Sequence, residues 1–412
     1  HSGGSVLADE ELVFQHPGAS GRATSSSTSL SQSVVATRGE NTASKSFRSE
    51  PSRLEVIREG VGKDGFSARA AEIISQARRP STTACYDAKW KVWVSWCAQR
   101  QVNPVQPAVG QVGEFFRYLF EERQAAVSTI KGYRSTLASC FKFNARSAVN
   151  IGSDPRLSAM ISFFARHRPV ARTVTPRWNL TVVLWALTKA PYEPMNQVAL
   201  LDWSIKTSFL LAFASAKRRG ELHALSMDDR SLVFGKESVT LCCEVGFLAK
   251  TQVPGQAPRP FVVPALSKAG PLSAADNLLC PVRALRHYLS MTKSLRGRRK
   301  RLFIPCVGNQ DVSKASISRW ISMAIRRAYT STSSKACKKL KVKAHEVRAV
   351  STSWAFLNGV PLEQVMSTAS WRSQTTFSQF YLRALTAQSS DIYTLGPLVA
   401  AGTVVAGKRP TV

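Results

Sequence analysis

Hydrophobic residues recur at helical spacing through most of the first half of the chain. Between Phe66 and Ala77 the apolar positions fall three or four residues apart, and Arg78-Arg79-Pro80 ends the pattern. Longer amphipathic segments follow at residues 82–97, 109–123 and 127–143. Together these segments predict a compact helical bundle over residues 66–165, with basic side chains on its outer face.

The spacing of hydrophobic residues changes from helical to strand-like within the second half of the chain. Helical patterns at Leu180–Ala190 and Val198–Ser215 give way to strand-like runs at residues 238–243 and 260–264, with a Pro/Gly break between them. Helical patterns return after Cys280-Pro281 and continue to about Leu385. The predicted fold is therefore mainly α with a small antiparallel β element, and the second domain spans residues 176–390.

The segments outside these two domains are polar or of low complexity. Residues 1–65 are rich in Ser, Thr, Gly and Ala and predict a disordered or linker segment. Residues 166–175 are basic and interrupted by Pro169, which predicts an interdomain linker, and residues 391–412 predict a tail. Because the first residue is His1 and not Met, we expect the chain to be a fragment of a longer translation product.

The charge balance indicates the class of partner. Lys and Arg number 56 against 26 Asp and Glu, which gives a net charge of +30 and a pI near 10.4. Such a chain attracts polyanions, and double-stranded DNA is the partner that we expect. A membrane surface is the alternative, but the sequence has neither an apolar run of membrane-spanning length nor a signal peptide at its start.

The cysteines and acidic residues give no sign of a metal or a cofactor. The eight cysteines contain no CxxC pair and no Cys/His zinc spacing, which is typical of an intracellular protein with reduced thiols. The acidic residues show no paired metal-ligand spacing either. We therefore predict that the protein uses no metal and no cofactor.

Four separated fragments carry the candidate chemistry. They are Arg218-Arg219-Gly220-Glu221-Leu222, Ala249-Lys250-Thr251, His345-Glu346-Val347-Arg348, and Trp371 together with Phe380-Tyr381. In order and separation they resemble the catalytic domain of tyrosine recombinases of the phage-integrase type, over residues 82–383. Three further fragments, at residues 178–180, 221–225 and 280–285, resemble the recombinases of DIRS-type and Ngaro-type retrotransposons.

The resemblance implies a helical, SAM-like core-binding domain followed by a mixed α/β tyrosine recombinase catalytic domain. It also implies site-specific cutting and rejoining of DNA through a 3′-phosphotyrosine, by a homotetramer assembled on DNA, for the integration of a mobile element. A nuclear location is expected with that function.

The residue types suit this chemistry. A tyrosine phenol can store a phosphodiester as a covalent ester, which makes Tyr381 the expected nucleophile. Two guanidinium groups can stabilise the charge that gathers on the non-bridging oxygens, and we assign this role to Arg218 and Arg348. Glu221 lies one helical turn after Arg218 and is its expected orienting partner. The adjacent Arg219 is the alternative first arginine, although neighbouring helical residues point in different directions.

The remaining site residues have supporting roles. His345 and Arg348 share a helix face at a spacing of three, so His345 is an expected hydrogen-bonding or acid–base partner. The resemblance implies that Lys250 protonates the leaving 5′-oxygen and that Trp371 packs beside the tyrosine and donates its ring N–H to the phosphate. Trp371 lies ten residues before Tyr381, one more than the commonest spacing in the family, so its direct contact with the phosphate stays open.

Other basic residues are candidates for contacts with the DNA backbone. Those of the helical domain and the linker are Lys89, Lys131, Arg134, Arg166, Arg168 and Arg172. The basic runs at residues 295–301 and 335–343 could contact DNA or direct nuclear import, but solvated loops are an equally good interpretation.

Two other functions fit the same sequence. One is a DNA-binding protein that kept the fold and lost its chemistry, against which the full set of site residues argues. The other is a type IB topoisomerase, which uses similar residues; the size of the first domain and its resemblance favour a recombinase.

Overall fold

The computed structural model describes residues 51–143, 150–169, 178–250, 252, 255–269, 277–330, 342–383 and 385. The chain divides into two compact units between residues 171 and 172. Within the described ranges the chain is mainly helical, with one three-stranded antiparallel sheet in the second unit. The predicted fold class, mainly α with a small antiparallel β element, is confirmed.

The first unit is helical throughout its described part. Its helices are α1 Arg53–Lys63, α2 Ala68–Ser75, α3 Pro80–Gln99, α4 Val109–Glu121, α5 Val127–Phe141 and α6 Pro155–His167. Its core is built on aromatic side chains: the ring centroid of Phe115 lies 5.0 Å from that of Trp93 and 5.3 Å from that of Trp96. Trp93 and Trp96 are three residues apart on α3, so both rings can face α4.

Helix α1 begins earlier than the predicted start of the domain at Phe66. Ser52 and Glu55 form a capping box in which the Glu55 N–H donates to Ser52 Oγ at 3.3 Å and the Ser52 N–H donates to the Glu55 carboxylate at 2.8 Å. Val56 and Val61 are buried. The prediction of a linker over residues 1–65 is therefore wrong for residues 53–63, where the polar composition concealed a short amphipathic helix; residues 1–50 lie outside the described ranges.

Helix α6 was not predicted from the apolar period. It begins at Pro155 after Asp154, whose carboxylate accepts from the N–H groups of Arg156 and Leu157. It ends at His167, two residues into the predicted linker of residues 166–175. Arg166 therefore lies in the last turn of a helix and not in an extended connection.

The second unit alternates helices with the small sheet. Its elements are α7 Leu180–Leu187, α8 Leu200–Ser215, α9 Arg219–His223, β1 Leu232–Phe234, β2 Ser238–Leu241, β3 Phe261–Pro264, α10 Pro281–Thr292, α11 Lys314–Thr330, α12 His345–Leu357 and α13 Leu362–Thr368, followed by a helical turn Gln374–Thr376 and a π-helical turn Phe377–Tyr381. The strands pair in the order β1-β2-β3, with Leu232 opposite Leu241 and Ser238 opposite Pro264.

Helix α8 forms the centre of the second unit. All of its residues from Trp203 to Ser215 are buried, and it packs against α10, α11 and α12. A helix that is covered on all sides holds its ends firmly, because its position is fixed by contacts around the whole circumference. The segment that follows Ser215, which contains Arg218, therefore starts from a rigid support.

One polar group on α8 is a fully buried lysine. Lys206 Nζ donates to Glu193 Oε1 at 2.5 Å and to the Leu187 carbonyl at 2.8 Å. Arg283 Nη1 and Nη2 donate to the two oxygens of the same Glu193 carboxylate at 2.7 and 3.2 Å. The buried ammonium is compensated mainly by this one carboxylate.

The substitution Glu193→Gln is expected to destabilise the protein strongly, because it leaves the Lys206 ammonium buried without its counter-charge. We expect the free energy of unfolding, measured by urea titration at neutral pH, to fall by about 3–5 kcal/mol. The exposed Asp229 provides the control, since Asp229→Asn should change it by less than about 0.5 kcal/mol. Equal, small effects of both substitutions would contradict the importance of this ion pair.

Candidate active site

Arg218 lies in the turn that joins α8 to α9. The chain leaves α8 through Ala216, whose φ of 51° is left-handed, and Arg218 then caps the N-terminus of α9. The Arg218 N–H donates to Glu221 Oε2 at 3.0 Å, and Arg218 Nη1 lies 3.8 Å from the same oxygen. A left-handed non-glycine residue costs about 1 kcal/mol or more, so the rest of the structure must hold this turn in place.

Arg348 lies at the end of the first turn of α12 and is only 3% exposed. Its Nη1 donates to the Ala216 carbonyl at 2.7 Å, and its Nη2 donates to the Ala369 carbonyl. One guanidinium thus joins the Arg218 turn to the segment that leads to Trp371. Burial, followed by the positive charge of Arg218, lowers the pKa of Arg348 to about 10, so the group remains charged at neutral pH.

Trp371 and Tyr381 pack beside Arg348. The Trp371 ring centroid lies 4.4 Å from that of Tyr381, and Arg348 Cζ lies 4.9 Å from the first centroid and 5.6 Å from the second. Tyr381 is the last residue of the π-helical turn, and its carbonyl accepts from Ser353 Oγ at 3.1 Å. Because Ser353 is on α12, the helix that carries Arg348 also fixes the backbone of Tyr381.

Three N–H groups of this cluster are buried without a hydrogen-bond partner among the residues that the structure describes. They are Arg218 Nη1, Arg348 Nε and Trp371 Nε1. A buried unpaired donor costs about 1–3 kcal/mol, and more when it is charged. Buried side chains elsewhere in the described residues, such as those of Arg53 and Trp96, also have unpaired N–H groups. In this cluster, however, the three unpaired donors coincide with a group of positive charges, which favours an anion-binding site.

The electrostatics of the cluster point in the same direction. Glu221, itself buried, lies 3.8–3.9 Å from Lys217, Arg218 and Arg348. Three cations share a single carboxylate, which leaves an excess of positive charge in a place with little solvent to screen it. An anionic ligand would remove that excess.

The structure thus brings together Arg218, Glu221, Arg348, Trp371 and Tyr381. The alternative first arginine is directed elsewhere, since Arg219 Nη1 donates to Ser318 Oγ on α11 at 3.3 Å.

The two other predicted site residues occupy exposed positions. Lys250 lies in a turn of the connection between β2 and β3, and His345 is the first residue of α12, one turn before Arg348. Both placements agree with the local structure expected for them, a hairpin connection and a helix shared with Arg348.

Sequence reasoning missed two residues that the structure places in this cluster. Lys217 contacts Glu221, and Ser353 holds the backbone of Tyr381. The position of Lys217 beside Arg218 was a usable signal, but a lysine in a basic run is ordinarily solvated. No local signal distinguishes Ser353 from other helical serines.

The basic residues predicted to contact DNA differ widely in exposure. Lys131 and Arg166 are exposed, whereas Lys89 is 2% exposed and its Nζ lies 2.9 Å from Cys85 Sγ. The expectation that Lys89 lies on the outer face of its helix is therefore wrong, because α5 covers it: Nζ lies 5.9 Å from the ring of Tyr133.

Two further candidates are engaged within the protein. Arg134 donates to the Ile151 carbonyl at 2.9 Å and to Ser158 Oγ at 2.9 Å, and Arg168 donates to the Ala125 carbonyl at 2.9 Å. Both bind neighbouring segments of the first unit together. Arg172 lies outside the described residues, as do residues 335–341 of the second basic run.

Two features of other protein classes are absent from the described ranges. Within these ranges the structure contains no cluster of three or more His, Cys, Asp or Glu side chains that could hold a metal ion. No helix there has the length and apolar character needed to cross a membrane.

No protein-family model matches this sequence, and no curated protein matches it. Similar solved structures include a lambda integrase dimer bound to a core site, 16% identical, with a TM-score of 0.45 and coverage of 78% of this chain and 94% of that one. Another is the Tn1549 transposon integrase in complex with circular intermediate DNA, 11% identical, with a TM-score of 0.46 and coverage of 81% and 96%. A third is the integrase of mycobacterium phage Brujita, 15% identical, with a TM-score of 0.28 and coverage of 85% and 97%. All three are integrases.

Proposed function

We propose that this protein is a tyrosine recombinase that cuts and rejoins DNA, with Tyr381 as the nucleophile. The observation that carries the proposal is the set of three buried, unpaired N–H donors on Arg218, Arg348 and Trp371, of which Arg348 and Trp371 lie beside the Tyr381 ring. A phosphodiester offers two non-bridging oxygens and one negative charge, which match donors of this kind.

The proposed reaction conserves the energy of the phosphodiester bond. The Tyr381 phenolic oxygen attacks phosphorus and passes its proton to a base, for which His345 is the candidate; a bond forms between that oxygen and phosphorus, and the bond from phosphorus to the 5′-oxygen breaks. The 5′-oxygen leaves with a proton. Attack on the resulting 3′-phosphotyrosine by the 5′-hydroxyl of another strand reverses these steps and joins the two DNAs.

The two arginines suit the transition state for different reasons. Arg348 is held by two backbone carbonyls, so its free Nε is fixed in direction before any substrate binds. Arg218 is 22% exposed at its side chain and is oriented by Glu221. Donors that are already in place stabilise the developing negative charge without a cost in reorganisation. Preorganisation of this kind supplies most of the electrostatic stabilisation of a transition state.

Lys250 is the proposed general acid for the leaving oxygen, and its substitution provides a direct test. Lys250→Ala should slow cleavage by about 10²–10⁴-fold, because the 5′-oxygen then leaves without its proton donor. A DNA substrate with a 5′-bridging phosphorothiolate has a leaving group that needs no proton and should restore the rate. Lys236, an exposed lysine in the turn between β1 and β2, provides the control, and Lys236→Ala should cleave normally. If the phosphorothiolate does not restore the rate of Lys250→Ala, another group is the acid.

The wider setting of the reaction is also part of the proposal. We expect the protein to bind double-stranded DNA through basic side chains such as those of Lys131 and Arg166, and to form a homotetramer on it. Integration of a mobile element of the DIRS or Ngaro type, in the nucleus, is the role that agrees with the sequence resemblance.

A covalent trapping experiment tests the proposed function and does not require a defined target sequence. The protein is incubated with a pool of duplexes that have random cores and a nick, so that a cleaved strand diffuses away and the adduct accumulates. We expect protein–DNA complexes that survive denaturation, with a recurrent sequence in the recovered DNA. No adduct from any duplex, with tight binding retained, would instead support a DNA-binding protein without chemistry. Relaxation of a supercoiled plasmid without strand exchange between two sites would support a topoisomerase.

A further inference from the structure

Lys217 is a lysine of low exposure that joins three separate segments of the candidate active site. Its side chain is 10% exposed, and its Nζ lies 3.9 Å from Glu221 Oε1. The same Nζ donates to the Thr368 carbonyl, at the end of α13, at 3.2 Å. It also lies 4.8 Å from the ring centroid of Phe261, the first residue of β3.

These contacts place Lys217 between the parts of the site that must keep their spacing. Glu221 orients Arg218, and Thr368 precedes Ala369, whose carbonyl accepts from Arg348. One ammonium therefore bridges the turn that carries the first arginine and the segment that leads from the second arginine to Trp371. The Phe261 ring contacts the same ammonium from β3, and β3 belongs to the hairpin whose connection carries Lys250.

A purely structural explanation accounts poorly for a charged group here. A methionine has nearly the same length and could fill this space among an aromatic ring and backbone without the desolvation of an ammonium. The lysine instead adds a third cation to a buried cluster with one carboxylate. That addition raises the positive potential at the site, which disfavours the empty cluster and favours an anion in it.

We propose that Lys217 is a further positioning residue of this site: its ammonium holds the Glu221 carboxylate and the Thr368 carbonyl in the arrangement that the two arginines require. The inference rests on the proposed function, because the charge that it supports is that of a bound phosphodiester.

The charge of Lys217 should make its contribution depend on pH. Burial lowers its pKa, the carboxylate of Glu221 raises it, and the charges of Arg348 and Arg218 lower it further; the thiol of Cys243 also faces it. A lysine with a lowered pKa carries its charge below that pKa and loses it as the pH rises. The contribution of Lys217 should therefore be complete at low pH and disappear towards alkaline pH.

The test compares single-turnover cleavage of a trapped DNA substrate by the full chain and its Lys217 variants across this pH range. Lys217→Met should cleave about 10–100-fold more slowly than the wild type at neutral pH, with little change in DNA affinity. The ratio of the two rates should shrink as the pH rises. Lys217→Arg, which stays charged, should recover part of the rate and should keep its advantage over Lys217→Met at alkaline pH.

Controls separate this role from simple loss of stability. Lys206→Met removes a buried lysine of the same unit and should lower the free energy of unfolding, but its rate relative to the wild type should not change with pH. All rates are measured where urea titration shows each variant to be folded. If Lys217→Met does not fold, Lys217→Gln, which keeps an N–H for the Thr368 carbonyl, replaces it.

The possible results distinguish the two proposals. If the wild type forms an adduct and the Lys217 variants match its rate, or if the ratio of rates is the same at every pH, the role of Lys217 is overturned and the proposed function stands. If the wild type forms no adduct with any DNA, both proposals are overturned.

Discussion

Replacing Tyr381 by phenylalanine is expected to abolish covalent attachment to DNA, with a loss of about 10⁴-fold or more in cleavage rate, because the attacking oxygen is the only group removed. The phenyl ring should still pack at 4.4 Å from Trp371, so folding and DNA affinity should be nearly unchanged. The measurement is the yield of denaturation-resistant protein–DNA complex from the nicked substrate, beside a filter or gel-shift titration of affinity.

A matched substitution controls for the loss of a tyrosine hydroxyl. Tyr118→Phe makes the same change in the first unit and should leave the adduct yield at the wild-type level. If Tyr381→Phe gives as much adduct as the wild type, Tyr381 is not the nucleophile.

Replacing Arg348 by lysine is expected to have the second largest effect, although the charge is retained. An ammonium cannot bind the Ala216 and Ala369 carbonyls and still direct an N–H at a phosphate oxygen, as the planar guanidinium does. We expect the cleavage rate to fall by about 10²–10³-fold or more. The free energy of unfolding should fall as well, since Arg348 is buried and joins two segments of backbone.

The same substitution at neighbouring arginines should separate catalysis from stability. Arg218→Lys should reduce the rate severely but affect stability less than Arg348→Lys, because its side chain is 22% exposed. Arg219→Lys is the control, since Arg219 is directed at Ser318, and it should cleave normally. Near-normal cleavage by both Arg218→Lys and Arg348→Lys would contradict their assignment as phosphate-binding residues.

The parts of the site that could be predicted from the sequence depend on short spacings. His345 and Arg348 are three residues apart within one helix, which gives them a shared face. Arg218 and Glu221 have the same spacing, but Arg218 precedes the first turn of α9, and the two meet through a capping contact instead. The change from a helical to a strand-like spacing of hydrophobic residues likewise predicted β2 and β3. These patterns are local, so a single sequence is enough to interpret them.

The errors arose where distant segments decide the outcome. Lys89 was expected on an outer face, but α5 covers it and leaves its ammonium beside Cys85 and the Tyr133 ring. Lys217 belongs to a basic run, yet the packing of α13 and β3 leaves it little exposed. A residue type and its neighbours in sequence do not specify which element will cover it.

The most direct test of the central claim is to locate the covalent bond itself. The trapped complex is digested with nuclease and trypsin, and the modified peptide is sequenced by mass spectrometry. We expect a nucleotide remnant, linked through its 3′-phosphate, on the peptide of residues 373–383, in which Tyr381 is the one tyrosine. A remnant on any other residue, or linkage through a 5′-phosphate, would contradict the account.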